Sequence, residues 1–136
     1  MCDIGQVNLK EGNPKWIKPK MTIDQHLDYK FILSLEGTDV ATNLKWIMSS
    51  NSIAIAPPHK METWYMEGTL IPNEHFIQIA DDFSDLDEKL EFYTSNPKAA
   101  LEIVGNAKRF RSNFSNENLE DLIALLVLKK YFEQVD

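Results

Sequence analysis

Four residues, Glu36-Gly37-Thr38-Asp39, stand between a short apolar run and an amphipathic stretch, and their types suit phosphate chemistry. A glycine lets backbone approach a ligand closely, and a threonine hydroxyl and free amides can donate to phosphate oxygens. Val40 and Ala41 would supply those amides if a helix begins here, and Thr38 or Asp39 could cap it. In open parallel α/β sheets, ligands bind where the carboxyl end of a strand passes into the next helix. The same four residues also fit a plain strand-to-helix connection.

Such a turn needs a strand before it and a helix after it. Tyr29 to Leu35 is mostly apolar, the pattern of a strand covered on both faces. From Asp39 the apolar residues Val40, Leu44, Ile47 and Met48 follow helical spacing until Ser49-Ser50-Asn51 ends it. Ser52 to Ala56 reads as a second buried strand, cut by Pro57-Pro58 because proline cannot donate to a ladder. Residues 29–58 thus form one βαβ unit.

Upstream, residues 1–20 read as a connector with one short extended piece, and Thr22 caps a short helix running to Leu27. Downstream, residues 61–67 predict a short helix ending at Gly68, then a turn at Pro72-Asn73 and a third strand over His75 to Ala80. A helix runs from Ser84 or Asp85 to Tyr93, and Asn96-Pro97 starts another whose face is Ala100, Ile103, Val104, Ala107 and Phe110. The last helix, about Asn116 to Val135, is expected to bury Leu119, Leu122, Ile123, Leu126 and Phe132. Strands alternating with helices predict an α/β fold with a small, Rossmann-like parallel sheet of three or four strands and a helical C-terminus. Residues 21–136 would form that domain.

At 136 residues and 43% hydrophobic, the chain has the material for one domain with a real core. Its net charge of −7 argues against broad nucleic-acid binding, which needs a clustered basic surface. One cysteine, Cys2, makes no internal disulfide, which fits a reducing, cytoplasmic setting. The longest apolar run, residues 122–128, is far short of a membrane span. The three histidines show no metal spacing, and no P-loop or nucleophile elbow occurs, so no metal is expected. Met1 followed by loop material reads as the start of a piece of a longer chain.

The strings LSLEGTDVATNLKWIMSSNSIAIAPP and METWYMEGTLIPNEHFIQIADDFSDLDEKLEFYTSNPKAALEIVGNAKRF resemble the C-terminal half of glycosyltransferase family 90. That family includes bacterial lipopolysaccharide-core glycosyltransferases, fungal capsule-associated proteins and animal protein O-glucosyltransferases. The resemblance covers roughly residues 21–135 and is nearest the bacterial branch through EGTDVATNLKW and DDFSDLDEKL. It implies a GT-B arrangement of two Rossmann-like domains, of which this half binds a nucleotide-sugar, commonly UDP-linked, without a catalytic metal. The glycan or lipopolysaccharide acceptor and the carboxylate base would belong to an N-terminal domain absent from these residues. The resemblance places the enzyme in the cytoplasm or peripherally at the inner face of the cytoplasmic membrane.

By position the resemblance makes Gly37, Thr38 and Asp39 the phosphate-facing turn, with Val40 and Ala41 beside it. Asn43 stands where many relatives carry an arginine suited to bidentate phosphate contact. Lys45, about two turns into the helix, reads as a solvated lysine. His59 and Lys60 follow the second strand and could meet a base, ribose or phosphate. Glu62 could accept from ribose hydroxyls, beside Trp64, which reads as core packing. The run Asp81, Asp82, Asp85, Asp87 and Glu88 fits a solvated helix start, and Lys108, Arg109 and Arg111 a solvated helix end. The expected function is a donor-binding half of a glycosyltransferase, inactive alone. The alternative is a non-catalytic nucleotide- or carbohydrate-binding module, or an oligomerising one in which the cleft-side surface forms a homo-oligomer interface.

Overall fold

A computed structural model of the chain describes residues 3–7 and 13–135. Part of the expected connector, with Cys2 and Gly12, lies outside the described residues. Three strands, β1 (Phe31–Leu33), β2 (Ile53–Ala56) and β3 (Ile77–Gln78), form one parallel sheet in the order β1-β2-β3. Among the described residues five α-helices accompany them: α1 (Ile23–Leu27), α2 (Leu44–Ile47), α3 (Leu86–Ser95), α4 (Pro97–Ser112) and α5 (Glu117–Val135). Each strand is shorter than its apolar run, and Pro57 ends the β2 ladder as its missing N–H requires.

β2 is the centre. All four of its residues are buried, and their alternation sends the two alanines to one face and the two isoleucines to the other. Ala54 and Ala56 meet Ile32, Leu44, Ile47, Met48, Tyr65 and Phe76. Ile53 and Ile55 meet Ile77 of β3, Ile79 just after it, Tyr93 of α3, and Ala100 and Ile103 of α4. The small alanines leave room for the large rings of Tyr65 and Phe76, both almost fully buried.

Where signals are local, the elements form as their residues dictate. Thr22 accepts from the Gln25 amide while the Gln25 side chain accepts from the Thr22 amide, a complete capping box on α1. Pro97 opens α4, where its missing N–H costs nothing. Ser49 and Ser50 donate to the carbonyls of Lys45 and Ile47, closing the end of α2.

Four expectations are corrected. No helix starts at Asp39: residues 38–40 bend, a turn follows at 42–43, and α2 is only four residues long. This stretch is rich in Thr, Asp and Asn, whose side chains bond nearby backbone in competition with helix. Asp39 takes the Val40 amide at 2.7 Å, and Asn43 reaches back to the Leu33 carbonyl at 2.8 Å. Residues 61–67 form no helix either, because Met66 adopts a left-handed backbone (φ 56°) and only a single 3-10 turn, Glu67–Thr69, follows.

Trp64 is exposed and its neighbour Tyr65 is buried, with edge and tilted contacts to Phe110 and Phe114. Finally, α5 buries none of its residues. Its apolar side chains change faces partway along, with Leu119, Leu122, Ile123 and Leu126 on one side and Leu128, Tyr131, Phe132 and Val135 on the other.

Leu44→Ala, in the core against β2, should lower unfolding free energy by about 2–5 kcal/mol in urea titration. Leu122→Ala and Phe132→Ala in α5 should each change it by less than about 0.5 kcal/mol.

Candidate functional site

The carboxyl ends of the three parallel strands open on one side into a cleft of about 350 Å³. Ser34 to Gly37 line it after β1, Pro57 to Met61 after β2, and Asp81 and Phe83 after β3. Residues from three loops far apart in sequence therefore converge where a parallel sheet places its ligands. A broader groove along α4, lined by Lys98, Leu101, Glu102, Gly105, Asn106 and Arg109, draws on one helix face alone and gathers no comparable convergence of loops.

Glu36 organises the cleft. Its carboxylate accepts the Lys60 amide at 3.1 Å and the Met61 amide at 3.2 Å, tying the loop after β2 to the loop after β1. Its Oε1 lies 3.9 Å from Nδ1 of His59. The His59 ring packs on Phe76, 4.8 Å between centroids. Only 7% of its side chain is exposed, and its Nε2 is buried without a hydrogen-bond partner. Burial holds His59 below its ordinary range, against the opposing pull of Glu36 and Glu67. Lys60 reaches across the cleft to Asp81, Nζ to Oδ1 3.0 Å, and both side chains stay largely exposed. Phe83 projects at the rim from a left-handed backbone (φ 60°), a conformation uncommon for a bulky residue.

A second carboxylate, Glu67, is buried behind the loop. Thr63 gives it both its amide, at 2.7 Å, and its hydroxyl, at 2.8 Å, and Lys45 stands 3.7 Å away. Burial by itself would raise the Glu67 pKa, but those hydrogen bonds and the Lys45 charge outweigh it and hold the carboxyl below its usual range. Lys45 also lies over the Trp64 and Tyr65 rings, so it is a partner of the loop and not a solvated lysine.

Of the residues expected from sequence, Gly37, His59 and Lys60 line the cleft. A Cβ at Gly37 would meet nothing within 4 Å, so its backbone faces open space. Thr38 and Asp39 are exposed outside that lining, the Val40 amide is engaged by Asp39, and Ala41 is buried. Asn43 ties β1 to α2: its amide group donates to Leu33 O and its oxygen accepts from the Ser34 hydroxyl at 2.9 Å. Glu62 sits outside the cleft lining, its carboxylate against Gly68.

Sequence reasoning missed Ser34, Glu36 as a clamp, Asp81 and Phe83. Asp81 was within reach of the rule applied to Lys60, since it too follows the carboxyl end of a strand. The acidic run is also less solvated than expected: Asp85 accepts the Ala80 amide at 2.8 Å and Asp82 the Ser84 amide at 3.0 Å. Among the described residues, no three His, Cys, Asp or Glu side chains gather as metal ligands. None of their helices is long and apolar enough to cross a membrane.

Burial also depresses His75, whose Nδ1 accepts the Ile71 amide at 2.9 Å. A base whose folded pKa lies below its unfolded value binds protons more readily when unfolded. Its stabilising contribution is therefore complete above the unfolded value of 6.5 and is lost as pH falls from there toward the folded value. Urea stability should decline as pH drops below about 6.5, and the decline should be shallower in His59→Phe.

The family model for Glycosyl transferase family 90 matches residues 6–134. The O-glucosyltransferase LpsA of Dichelobacter nodosus is 43% identical over 136 residues, which are 100% of this chain and 43% of that protein. An uncharacterized protein of Invertebrate iridescent virus 6 is 26% identical over 131 residues, 90% of this chain and 11% of its own. The chain thus spans less than half the length of these curated relatives. With nearly every residue inside the family match, this chain belongs to glycosyltransferase family 90.

Proposed function

We propose that this chain is the donor-binding part of a GT-B glycosyltransferase, taking a nucleotide-sugar, UDP-linked, for lipopolysaccharide or surface-glycan synthesis in the cytoplasm or at the inner face of the membrane. One observation carries the reading: loops from all three parallel strands converge on a single cleft that holds a lysine at its mouth. Family membership and the similarity to an O-glucosyltransferase support it.

The charge needed at the leaving diphosphate does not come from a helix dipole here, since α2 is a single short turn and Asn43 is uncharged and engaged with β1. Lys60 takes that role. Its partner Asp81 is exposed, and an exposed pair is worth only about 0–1 kcal/mol, so a diphosphate competes for the ammonium readily. Gly37 lets the ligand approach the backbone after β1. In transfer, the bond from the sugar's anomeric carbon to the diphosphate breaks as an acceptor hydroxyl attacks. A base in a separate acceptor domain takes the hydroxyl proton, while Lys60 offsets the charge on the departing diphosphate. These residues alone bind donor and do not turn it over, and the reaction needs no metal.

Melting the chain with UDP, UDP-glucose, GDP and ADP tests this. A ligand at one hundred times its dissociation constant adds about 2.7 kcal/mol to stability. Uridine nucleotides should raise the melting temperature, with the rise reduced in Lys60→Ala and in Gly37→Val, which adds bulk to the backbone lining the cleft. No stabilisation by any of these nucleotides would refute the donor-binding reading.

A further inference from the structure

Helix α5 is rich in leucine, isoleucine, valine and aromatic side chains, yet none of its residues is buried. Its large apolar side chains, from Leu119 to Val135, are between 45% and 64% exposed. A helix that is apolar on nearly all sides is ordinarily covered by other protein, and a contiguous apolar surface of this kind on a soluble chain marks an interaction site. A helix of 19 residues with no packed face is also marginal by itself in water. Something must cover it.

Charge narrows the occupant. α5 sets Glu117, Glu120, Asp121 and Glu133 against Lys129 and Lys130, an acidic excess that an anionic bilayer repels. Its apolar residues also lie on more than one side, where a helix resting on a membrane keeps them on one. Along the helix the signs are separated: Glu117, Glu120 and Asp121 come first, and both lysines follow in the second half. A second copy running the opposite way sets those acids beside those lysines, whereas a parallel copy sets like charges together. Lys129 already stands 3.8 Å from Glu133 of its own chain, but both are exposed, and so open a pair holds the lysine weakly.

Spacing then gives the register. The two apolar faces of α5 meet along Leu122, Leu125 and Leu128, three residues apart, with Phe132 one turn further on. Asp121 and Lys129 lie four residues before and after Leu125, one on each side of this line. A two-fold axis at Leu125 therefore sets that residue against its own copy, Leu122 against Leu128 of the second copy, and Asp121 against Lys129 twice, a self-complementary contact. We propose that α5 is a self-association helix, through which two copies of this chain pair antiparallel along Leu122, Leu125, Leu128 and Phe132, with two Asp121–Lys129 ion pairs across the seam. One helix a side falls short of the about 800 Å² per partner of a standard interface, so the pair separates on dilution, and urea titration of dilute protein reads the single chain.

Light scattering over a dilution series tests this. The unaltered chain should approach twice the mass of one chain at high concentration and return to one on dilution. Leu125→Glu sets two carboxylates at the two-fold axis and should stay a single chain throughout. Asp121→Lys and Lys129→Glu should each do the same, since either turns both ion pairs into repulsions. An equimolar mixture of these last two variants restores both pairs between unlike copies, and it should recover the doubled mass. Because α5 buries nothing, the variants should melt as the unaltered chain does when dilute; should Leu125→Glu not, the mixture decides. A single mass for the unaltered chain at every concentration overturns the proposal and leaves α5 to a different partner. A doubled mass that survives Leu125→Glu or either charge reversal overturns it too, as does a mixture that fails to pair.

Discussion

The architecture depends on burying β2 on both faces. A strand in this position must be apolar at every residue and must still leave space on one side for large rings, and Ile53-Ala54-Ile55-Ala56 meets both demands. Parallel pairing of β1 and β3 to its two edges then points every strand's carboxyl end the same way. The cleft is a direct result of that shared direction. No single loop creates it; it exists because three chain segments leave the sheet on one side.

Loops gathered at such an edge have backbone amides to satisfy and little regular structure with which to do so. Carboxylates supply the answer here. Glu36 takes two amides from the loop after β2, Glu67 takes the Thr63 amide inside the same loop, and Asp85 takes the Ala80 amide after β3. Each is a charge-assisted bond, stronger than its neutral counterpart. This division of labour explains why acidic residues crowd a region proposed to meet phosphate: most of them face backbone N–H groups, while Lys60 extends to the mouth. His59 lies among these clamps with one nitrogen toward a carboxylate and the other unused.

Much of this fold could be read along the chain. Apolar runs located all three strands, a Thr22/Gln25 pair fixed the start of α1, Pro97 opened α4, and the alternation of strand and helix implied a parallel sheet. The errors arise where a spacing pattern is overridden by contacts that the spacing does not show. The stripe Val40, Leu44, Ile47, Met48 has helical spacing, yet its first turn is displaced by Asp39 and Asn43 bonding to backbone. Likewise, Trp64 and Tyr65 look equivalent as neighbours, and only the positions of Phe110 and Phe114 decide that Tyr65 goes inside. In α5 an apolar composition suggested a buried face, but none of the helix's residues is buried among the described ones.

The sequence by itself determined the fold class and the edge of the sheet at which to look for a site, because strand runs, caps and proline stops act over a few residues, and its ordered segments carried the resemblance to the family. Tertiary structure alone decided which partners the side chains of the candidate cleft meet. Glu36 meets amides 24 and 25 residues away, Lys60 meets Asp81 across 21, and His59 owes its burial to Phe76 from another segment. Contacts of that span leave no periodic trace in a sequence, since they arise from how strands stack and not from how neighbours along the chain are spaced.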